Sequence, residues 1–483
     1  MTSNNEDGYK VKVSDEDLTT LLDYKLAQSS SSFLDTSELS DERQKSTYEY
    51  AMIPKGHLKP QGVSRIVSSD TVEAIEGYTA VLSELLFDNN KLAKFKAYDR
   101  TPLALHKATA ASELLNHCLF SKNRGWSVLN TWLKSALMWK LSAVTWTYAS
   151  EEKVSFEEYE VIDSTALDVL LSDPEITTTG DIYLDERSGN YLDVRLKRTK
   201  VTNKVVVSAV PPETLRVGRG ATGIHDASFV GFEEEMTRSE IRERWPEAAE
   251  GVDWSAVESG IHYATQLNTD SLARKQAIGT TLLLGSGDDN QLEATESAVV
   301  LRCWVYVDRD GDGIAELKYI VRVGDTILEE EDADHIQVAT FTPFEIPFEL
   351  EGLSMSDMVR PSTLASTAIL RGFVENTYLT NYAPKIADPN VVDFSALQNM
   401  KPKQIIASNG NPQGAVASLP PEQISTGTVP LLQFLQGHKE QATGLSKAAQ
   451  GLNDALYVSG NSEAKVSQVQ SAAQIRIQFI ARR

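Results

Sequence analysis

The residues best suited to chemistry in this sequence are three aspartates at alternate positions. Asp308, Asp310 and Asp312 are separated by single residues, and Gly313 follows the third. Calcium loops of the EF-hand type share this pattern, because carboxylate oxygens surround the hard cation while a glycine makes the sharp bend. The twelfth position of such a loop is a bidentate glutamate, whereas here it is Tyr319. The pattern therefore predicts either a structural Ca²⁺ site with the three aspartates as ligands or a tight turn.

The elements on either side favour the turn. Residues 301–307 and 316–323 carry the alternating apolar pattern of strands, so the two helices of an EF-hand are missing. A β-hairpin that turns through residues 308–313 explains the aspartates and glycines without an ion. Calcium is the one cofactor for which the sequence has a pattern, and otherwise no cofactor is expected.

The histidines give little support for catalysis. None of the seven has a metal-binding spacing such as HExxH, and no phosphate-binding loop or nucleophile elbow is present. His335, near Asp332 and Asp334, is the one close grouping of acids and histidine, and a charged loop explains it equally well. We therefore expect no enzymatic activity, and any ATP-driven step must come from a partner.

Length and composition indicate a globular, water-soluble protein. The 483 residues, 41% hydrophobic and 24% charged, suffice for two or three cores. No apolar run reaches the ~20 residues that a membrane helix needs, and the polar, acidic N-terminus differs from a signal peptide. Cys118 and Cys303 lie in apolar surroundings and are predicted to be buried free thiols. Synthesis in the cytoplasm and no membrane contact are the expectations.

The charge is unevenly distributed. The net charge of −22 argues against a protein that grips nucleic acid, because such binding depends on Lys and Arg contacts with phosphates. Residues 353–483 hold eleven basic and eight acidic side chains, whereas residues 1–352 hold thirty-five and sixty. An acidic body thus precedes a nearly neutral C-terminal part.

One dense basic cluster stands out against this acidic background. Its members fall along a predicted strand, where a solvated sheet edge is favoured over a nucleic-acid site. The cluster consists of Arg195, Lys197, Arg198 and Lys200.

Helices dominate the prediction for the N-terminal third. Residues 1–62 are polar and predict a flexible arm with a short helix at residues 15–27. Helical patterns follow at residues 69–86, 103–120 and 126–148. The last has an apolar stripe at spacings of three and four, typical of a packing face. The stripe consists of Leu129, Trp132, Ala136, Trp139, Ala143 and Trp146.

Residues 151–352 change to the alternating pattern of strands. Thr237 and Glu240 predict a capping box for a short helix that ends at Trp245, and residues 268–290 predict a mobile polar loop. The clearest strands are residues 181–184, 191–196 and 204–207, separated by turns at residues 187–190 and 201–203.

Two long helices are predicted near the C-terminus. Residues 353–382 begin with a capping-box pattern at Ser354 and Asp357, and Pro361 predicts a kink or a second helix start. A return helix is predicted at residues 428–447. The apolar positions expected to pack are Leu364, Ala368, Ile369, Phe373 and Leu379 in the first helix and Leu431, Leu432, Leu435 and Leu445 in the second.

Between and after these helices lie segments of different character. Residues 383–427 hold six prolines, with a strand-like run at 404–407 and a turn at 409–412, so a compact inserted subdomain is expected. Residues 448–462 form a polar, glycine-containing loop, and a helical pattern resumes at 463–483.

Three stretches of this sequence resemble the portal proteins of short-tailed bacteriophages. They read IPFELEGLSMSDMV, TGLSKAAQGLNDALYVSGNSEAKVSQVQSAAQIRIQFIARR and VPPETLRVGRGATGIHDASFVGFEEEMTRSEI. The resemblance covers most of residues 112–483 and implies an α+β, multidomain, ring-forming portal fold. The implied parts are a flexible arm (1–62), a helical wing part (63–150), a β-rich wing part (151–352), stem helix 1 (353–382), a clip (383–427), stem helix 2 (428–447), a tunnel loop (448–462) and a helix toward a crown, with the crown itself expected to be missing (463–483).

The resemblance also implies a function. Twelve copies would form a ring at one vertex of the capsid and conduct double-stranded DNA, bound non-specifically, during packaging and ejection. Implied partners are the terminase large subunit, the head-to-tail adaptor, and the major capsid and scaffolding proteins. Lys401 and Lys403 would contact partners from the clip. Facing the DNA from the tunnel loop would be Gln450, Gly451, Asn453, Gly460 and Asn461.

Two other functions remain open from the residues alone. The first is a calcium-dependent scaffold protein, with the Asp308–Asp312 loop as its site and the helical hairpin as its dimer face. The second and weaker one is a hydrolase that uses His335 and the neighbouring carboxylates.

Overall fold

Three antiparallel sheets and a set of helices make up the described part of the chain. The computed structural model describes residues 13–29, 38–87, 92–179, 183–184, 190–254, 257, 269–277, 296–381, 385–387, 390, 409, 416–418, 428–444 and 478–480. Helices and strands are mixed, which confirms the α+β class. The helices are α1 (Asp15–Gln28), α2 (Glu38–Tyr50), α3 (Asp70–Phe87), α4 (Pro102–Asn116), α5 (Gly125–Trp139), α6 (Ser164–Leu171), α7 (Arg238–Arg244), α8 (Pro246–Ala249), α9 (Thr269–Ala277), α10 (Met355–Asn381) and α11 (Thr428–Thr443).

The strands fall into three sheets. The first has the order β10-β1-β4-β2, with β3 also paired to β4, and the second has the order β5-β6-β7-β8-β9. A small third sheet pairs β11 with β12. The strands are β1 (Ser142–Asp163), β2 (Ile176–Thr178), β3 (Tyr183–Leu184), β4 (Asn190–Val210), β5 (Leu215–Val217), β6 (Phe229–Thr237), β7 (Ser297–Val307), β8 (Glu316–Val323), β9 (Thr326–Asp332), β10 (Val338–Phe341), β11 (Lys385–Ala387) and β12 (Val416–Ser418).

A long two-stranded ribbon forms the centre of the first sheet. Strands β1 and β4 pair from Ala143 opposite Val210 to Asp163 opposite Asn190. The turn predicted at residues 201–203 is wrong, because β1 supplies a partner for each of these residues and the backbone continues straight. The predicted runs at 191–196 and 204–207 are therefore parts of one strand.

Strands β7 and β8 confirm the predicted flanks of the aspartate-rich segment. They pair antiparallel from Val300 opposite Val323 to Val307 opposite Glu316, so residues 308–315 connect them as a hairpin. The predicted capping box at Thr237 and Glu240 is also present at the start of α7.

Helix α5 is shorter than its periodicity predicted. It ends at Trp139, and Lys140 adopts a φ of +73°, which no helix residue can have. The prediction of a helix to residue 148 is therefore wrong, since Trp146 lies on β1, with its ring stacked on His335. Within α5, Leu129 and Ala136 are buried as the packing-face prediction requires.

The prediction of a flexible arm at residues 1–62 is wrong for residues 13–29 and 38–62, which are part of the folded structure. Helix α1 is present at the predicted position, but Leu18 and Leu22 are completely buried against the second sheet. Asp23 pairs with Arg322 of β8, and Asp15 pairs with Arg309. A polar helix was mistaken for a free one because its apolar side chains are few: Leu18 and Leu22 are buried, and Leu21 and Leu26 pack beside them.

The loop predicted at residues 268–290 is likewise replaced in part by a helix, α9. Asp270 in its first turn is buried and lies 3.6 Å from Arg43 of α2. That contact bridges more than two hundred residues and has no local signature. Residues 278–290 fall outside the described part.

The two cysteines are free, as predicted. Cys303 is fully buried on β7, and this burial raises the pKa of its thiol to about 12. Cys118 is half-buried.

Candidate functional site: an inverted helix pair

Helix α10 starts where the sequence predicts. The Ser354 hydroxyl accepts the Asp357 N–H at 3.0 Å, and the Asp357 carboxylate accepts the Ser354 N–H at 3.0 Å, which completes the capping box. The helix then runs through Pro361 to Asn381 without a second start. Its 27 residues span roughly 40 Å, and α11 returns along it.

The side of α10 that faces its own chain carries hydroxyl groups. The Thr71 and Thr363 hydroxyls are 2.9 Å apart, and the Ser68 N–H donates to the Thr367 hydroxyl at 3.0 Å. These contacts join α10 to α3 and to the segment just before α3. The buried hydroxyl residues of α10 are Ser356, Ser362, Thr363, Ser366 and Thr367.

The predicted apolar face of α10 points away from its own chain. Leu364 is 38% exposed, Phe373 42% and Leu379 49%, so the described residues do not supply the packing partner expected for this face. The repeat of apolar residues identifies a face that must be covered, but it does not tell whether the cover comes from the same chain. Ala368 is exposed as well, and Ile369 is half-buried.

Helix α11 is inverted in the same sense: its apolar side chains are exposed rather than buried. Phe434 is 68% exposed and Leu431 47%, and Thr443 is the only fully buried residue among its sixteen. Leu432 and Leu435 are half-buried. The helix ends before Gly444, whose φ of +75° and bond to the Glu440 carbonyl (2.8 Å) form a left-handed cap. Leu445 lies outside the described residues.

Charged side chains of α10 beyond Pro361 turn back toward the chain. Arg371 donates to the carbonyls of Ile66 (2.8 Å) and Leu58 (2.7 Å). Glu375 accepts the Ser64 N–H at 3.4 Å. The exposed positions from Pro361 to Asn381 therefore carry no charge.

Lys439 fastens α11 to α3. Its ammonium lies 2.7 Å from Asp70 and 2.8 Å from Glu73. Burial would raise the pKa of Asp70, but the hydrogen bond and charge of Lys439 outweigh it and the pKa is lowered. Burial would lower the pKa of Lys439, and the two carboxylates raise it instead. Both groups are therefore charged at neutral pH.

A second ionic cluster, which the sequence did not reveal, holds the start of α10. Glu49 of α2 is fully buried and accepts from Arg360 at 2.8 Å, while His57 lies 2.8 Å away. Arg360 also pairs with Asp357 at 2.9 Å. Glu49 and Arg360 are 311 positions apart, so only the folded chain brings them together.

The result is a rigidly anchored helix pair with an uncharged outer surface. Its polar side chains contact residues of its own chain, while leucine, phenylalanine and tyrosine side chains are exposed. Exposed apolar faces of this extent mark protein interfaces. An uncharged surface also offers no cation to hold a polyanion.

The segments between and after the two helices are described only in part. Strands β11 and β12 pair antiparallel at the two ends of the proline-rich insert, and Asn409 lies in a bend. Lys401, Lys403 and residues 404–407 lie outside the described residues. So do the five predicted loop residues, Gln450, Gly451, Asn453, Gly460 and Asn461. Near the C-terminus, Ile480 is buried against the helical core.

The aspartate-rich turn brings its carboxylates together. Oxygens of Asp308, Asp310 and Asp312 lie within 4.8 Å of one another. Asp308 accepts the N–H groups of Gly311 (2.6 Å) and Gly313 (2.7 Å), and it is these backbone bonds, the one from Gly313 foremost, that lower the pKa of its carboxyl. These bonds explain the three aspartates as turn formers.

The remaining candidates have structural partners. Asp332 pairs with Lys318, and the His335 ring stacks on Trp146 at 6.4 Å between centroids. In the basic cluster, Arg195 lies 3.1 Å from Glu158 across the ribbon, and Arg198 lies 3.7 Å from Glu157. These are cross-strand pairs. The predicted sheet edge is wrong here, because β2 pairs with β4 on the other side at residues 196–198.

Comparison with known proteins gives one assignment. No curated protein matches the chain. No described helix is both long and apolar enough to cross a membrane. The family model of the phage SU10 portal protein matches residues 18–483, nearly the whole sequence. The chain therefore belongs to the phage SU10 portal protein family.

Proposed function

We propose that twelve copies of this chain form a ring at one capsid vertex, with the α10/α11 pairs side by side around a central channel. The observation that carries the proposal is the inversion of this pair. Each copy buries hydroxyl groups against itself and exposes apolar side chains such as Phe373 and Phe434. A neighbouring copy with the same pair supplies cover, since a head-to-tail ring places one side of each pair against the other side of the next pair.

The channel of this ring conducts double-stranded DNA during packaging and ejection. A conduit must not bind the polyanion that passes through it, and the exposed positions of α10 from Pro361 onward carry no charge. The acidic body, with sixty Asp or Glu in residues 1–352, adds repulsion rather than adhesion. Tunnel-loop contact with the passing duplex through Gln450, Gly451, Asn453, Gly460 and Asn461 is part of this proposal.

The insert at residues 383–427 is the docking platform in this proposal. It would engage the terminase large subunit during packaging and the head-to-tail adaptor afterwards, with Lys401 and Lys403 as contacts. Major capsid and scaffolding proteins would surround the ring in the virion. The role is structural, and the energy for DNA movement comes from the terminase.

Electron microscopy of the purified chain, combined with native mass spectrometry, tests the proposal. The expected result is a twelve-fold ring whose central hole is wider than a DNA duplex, ~20 Å across. Phe434→Asp in the α11 face should abolish the ring, whereas Ile314→Asp in the exposed aspartate-rich turn is the matched control and should not. Monomers or dimers that persist after scaffolding and capsid proteins are added would overturn the proposal.

A calcium-dependent role is the second candidate, favoured only by the proximity of the three carboxylates in the 308–313 turn. Calcium should then raise the melting temperature of the wild-type chain but not of Asp310→Asn. An equal response of the two proteins, or none in either, removes this candidate.

A further inference from the structure

Helix α4 and the residues before it form a protrusion, defined here as residues 92–116. None of the side chains of α4 is fully buried. Hydrogen bonds nevertheless hold the protrusion together. The Asn116 side chain donates to the Ala93 carbonyl (3.0 Å) and accepts the Leu92 N–H (2.9 Å). Its apolar side chains thus lack a cover within the described chain. Those exposed are Leu92, Phe95, Tyr98, Leu103, Leu105, Leu114 and Leu115.

The protrusion is basic although the chain is strongly acidic. Residues 92–124 contain six Lys or Arg and two carboxylates, in a protein with a net charge of −22. All six basic side chains are exposed, and no ion pair between described residues involves them. They are Lys94, Lys96, Arg100, Lys107, Lys122 and Arg124.

A loop elsewhere in the chain has the complementary character. Residues 344–349 connect β10 to α10, and the loop is pinned where the Leu353 N–H donates to the Phe344 carbonyl at 2.8 Å. Two of its side chains are acidic, Glu345 and Glu349, and Phe348 is 86% exposed.

The backbone of this loop is strained at Phe348. Its φ is +69°, a left-handed conformation that a bulky side chain rarely adopts. Phe344, four residues earlier, packs against the helical core, so an apolar site was within reach of this loop. The strain instead holds an aromatic ring out in water, an arrangement that functional contacts explain better than folding does.

We infer that the Phe348 loop of one copy docks onto the protrusion of the next copy in the ring. This inference rests on the proposed function, since a ring of identical chains needs two different surfaces that fit each other. Phe348 would enter the apolar surface of α4, and Glu345 and Glu349 would face Lys96 and Arg100. Exposed aromatic side chains in such a position carry much of the binding energy of an interface.

DNA is a weaker occupant of the protrusion. A nucleic-acid site needs basic and polar side chains, and it has no use for four exposed leucines on one short helix. The opposite charges of the loop and the protrusion would instead steer two copies together and fix their order around the ring.

The test is the assembly of full-length variants, followed by native mass spectrometry across a concentration series. Phe348→Ala, and separately Lys96→Glu with Arg100→Glu, should each raise the concentration for half-assembly at least tenfold. Phe156→Ala is the matched control, because this phenylalanine is 65% exposed on the ribbon and should leave assembly unchanged. Circular dichroism of the monomers confirms that each variant folds.

A charge swap then tests the pairing itself. Glu345→Lys with Glu349→Lys, added to the Lys96→Glu, Arg100→Glu chain, should restore assembly at low salt. Single-side variants that weaken assembly without any restoration by the swap would overturn this pairing.

The outcomes separate the two levels of the proposal. A wild-type ring with unchanged Phe348→Ala and charge variants would overturn the inference and leave the proposed function standing. Wild-type chains that form no ring, even with scaffolding protein, would remove both. Charge variants that assemble normally but lose retention of a DNA duplex would assign the protrusion to nucleic acid instead.

Discussion

Replacing Lys439 by methionine should separate the return helix α11 from the rest of the chain. The Lys439 side chain is 13% exposed, the Asp70 side chain 11% and the Glu73 side chain 51%. Methionine keeps the length and the apolar stem of lysine but removes the charge. Asp70 is then left as a buried carboxylate without a cation.

The cost of this change follows from the burial of each partner. Removing one member of a buried ion pair destabilises a protein by about 3–5 kcal/mol. Asp70 keeps the Ser68 hydroxyl at 2.9 Å, which puts Lys439→Met at the lower end, about 3 kcal/mol. The half-exposed pair with Glu73 contributes no more than about 1 kcal/mol, so Glu73→Gln is the mild control. Adding Asp70→Asn to Lys439→Met removes the unpaired charge and should recover part of the loss.

Urea unfolding of the dissociated monomers measures these free energies, and hydrogen exchange of the α11 amides locates the effect. The expected order of destabilisation is Lys439→Met first, the double variant second and Glu73→Gln last. Faster exchange should be confined to α11 and the start of α3. A Lys439→Met chain that is no less stable than Glu73→Gln would refute the assignment of the ion pair as the fastening of α11.

Three further outcomes are expected. Leu431→Asp on the exposed face of α11 should leave the melting temperature of the monomer within ~1 °C of wild type while preventing ring formation, as sedimentation would show. The lowered pKa of Asp308 stabilises the fold above the unfolded value of about 3.9, and this stabilisation is lost as the pH falls through the lower folded value, so acid titration should destabilise wild type more than Asp308→Asn. Iodoacetamide at pH 8 should alkylate Cys118 before Cys303, because burial raises the Cys303 pKa to about 12, and unfolding in urea should abolish the difference.

Local signals in the sequence predicted local structure well. The capping boxes at Ser354 and Thr237, the hairpin at residues 308–315 and the starts of the two long helices follow from contacts between residues three to eight apart. The predicted end of the second helix at residue 447 is wrong, because the helix ends at Thr443, before the left-handed Gly444. The continuous run of α10 through Pro361 was not predicted. A proline in the second turn of a helix loses one backbone hydrogen bond, and the contacts of α10 with α2 and α3 keep the helix continuous.

Predictions failed where a distant part of the chain decides the outcome. Val201 continues a strand because Glu152 lies opposite, and Leu18 is buried because a sheet made some three hundred residues later covers it. The inverted helix pair is the most instructive case. The repeat of Leu364 and Phe373 predicts one face of a helix, but it does not tell that the described residues of the same chain leave this face exposed.

The docking of α1 on the second sheet has a consequence for the order of events during synthesis. Helix α1 leaves the ribosome well before β7 and β8, yet Asp23 binds Arg322, 299 positions later, and Leu18 and Leu22 need β7 and β8 as their cover. At about 5–20 residues per second, the ribosome takes roughly 15–60 s to produce that distance of chain. During this interval helix α1 has no binding site. Once β8 has emerged, α1 can cover one face of the second sheet. Helix α1 thus joins its fold only after most of the acidic body has been made.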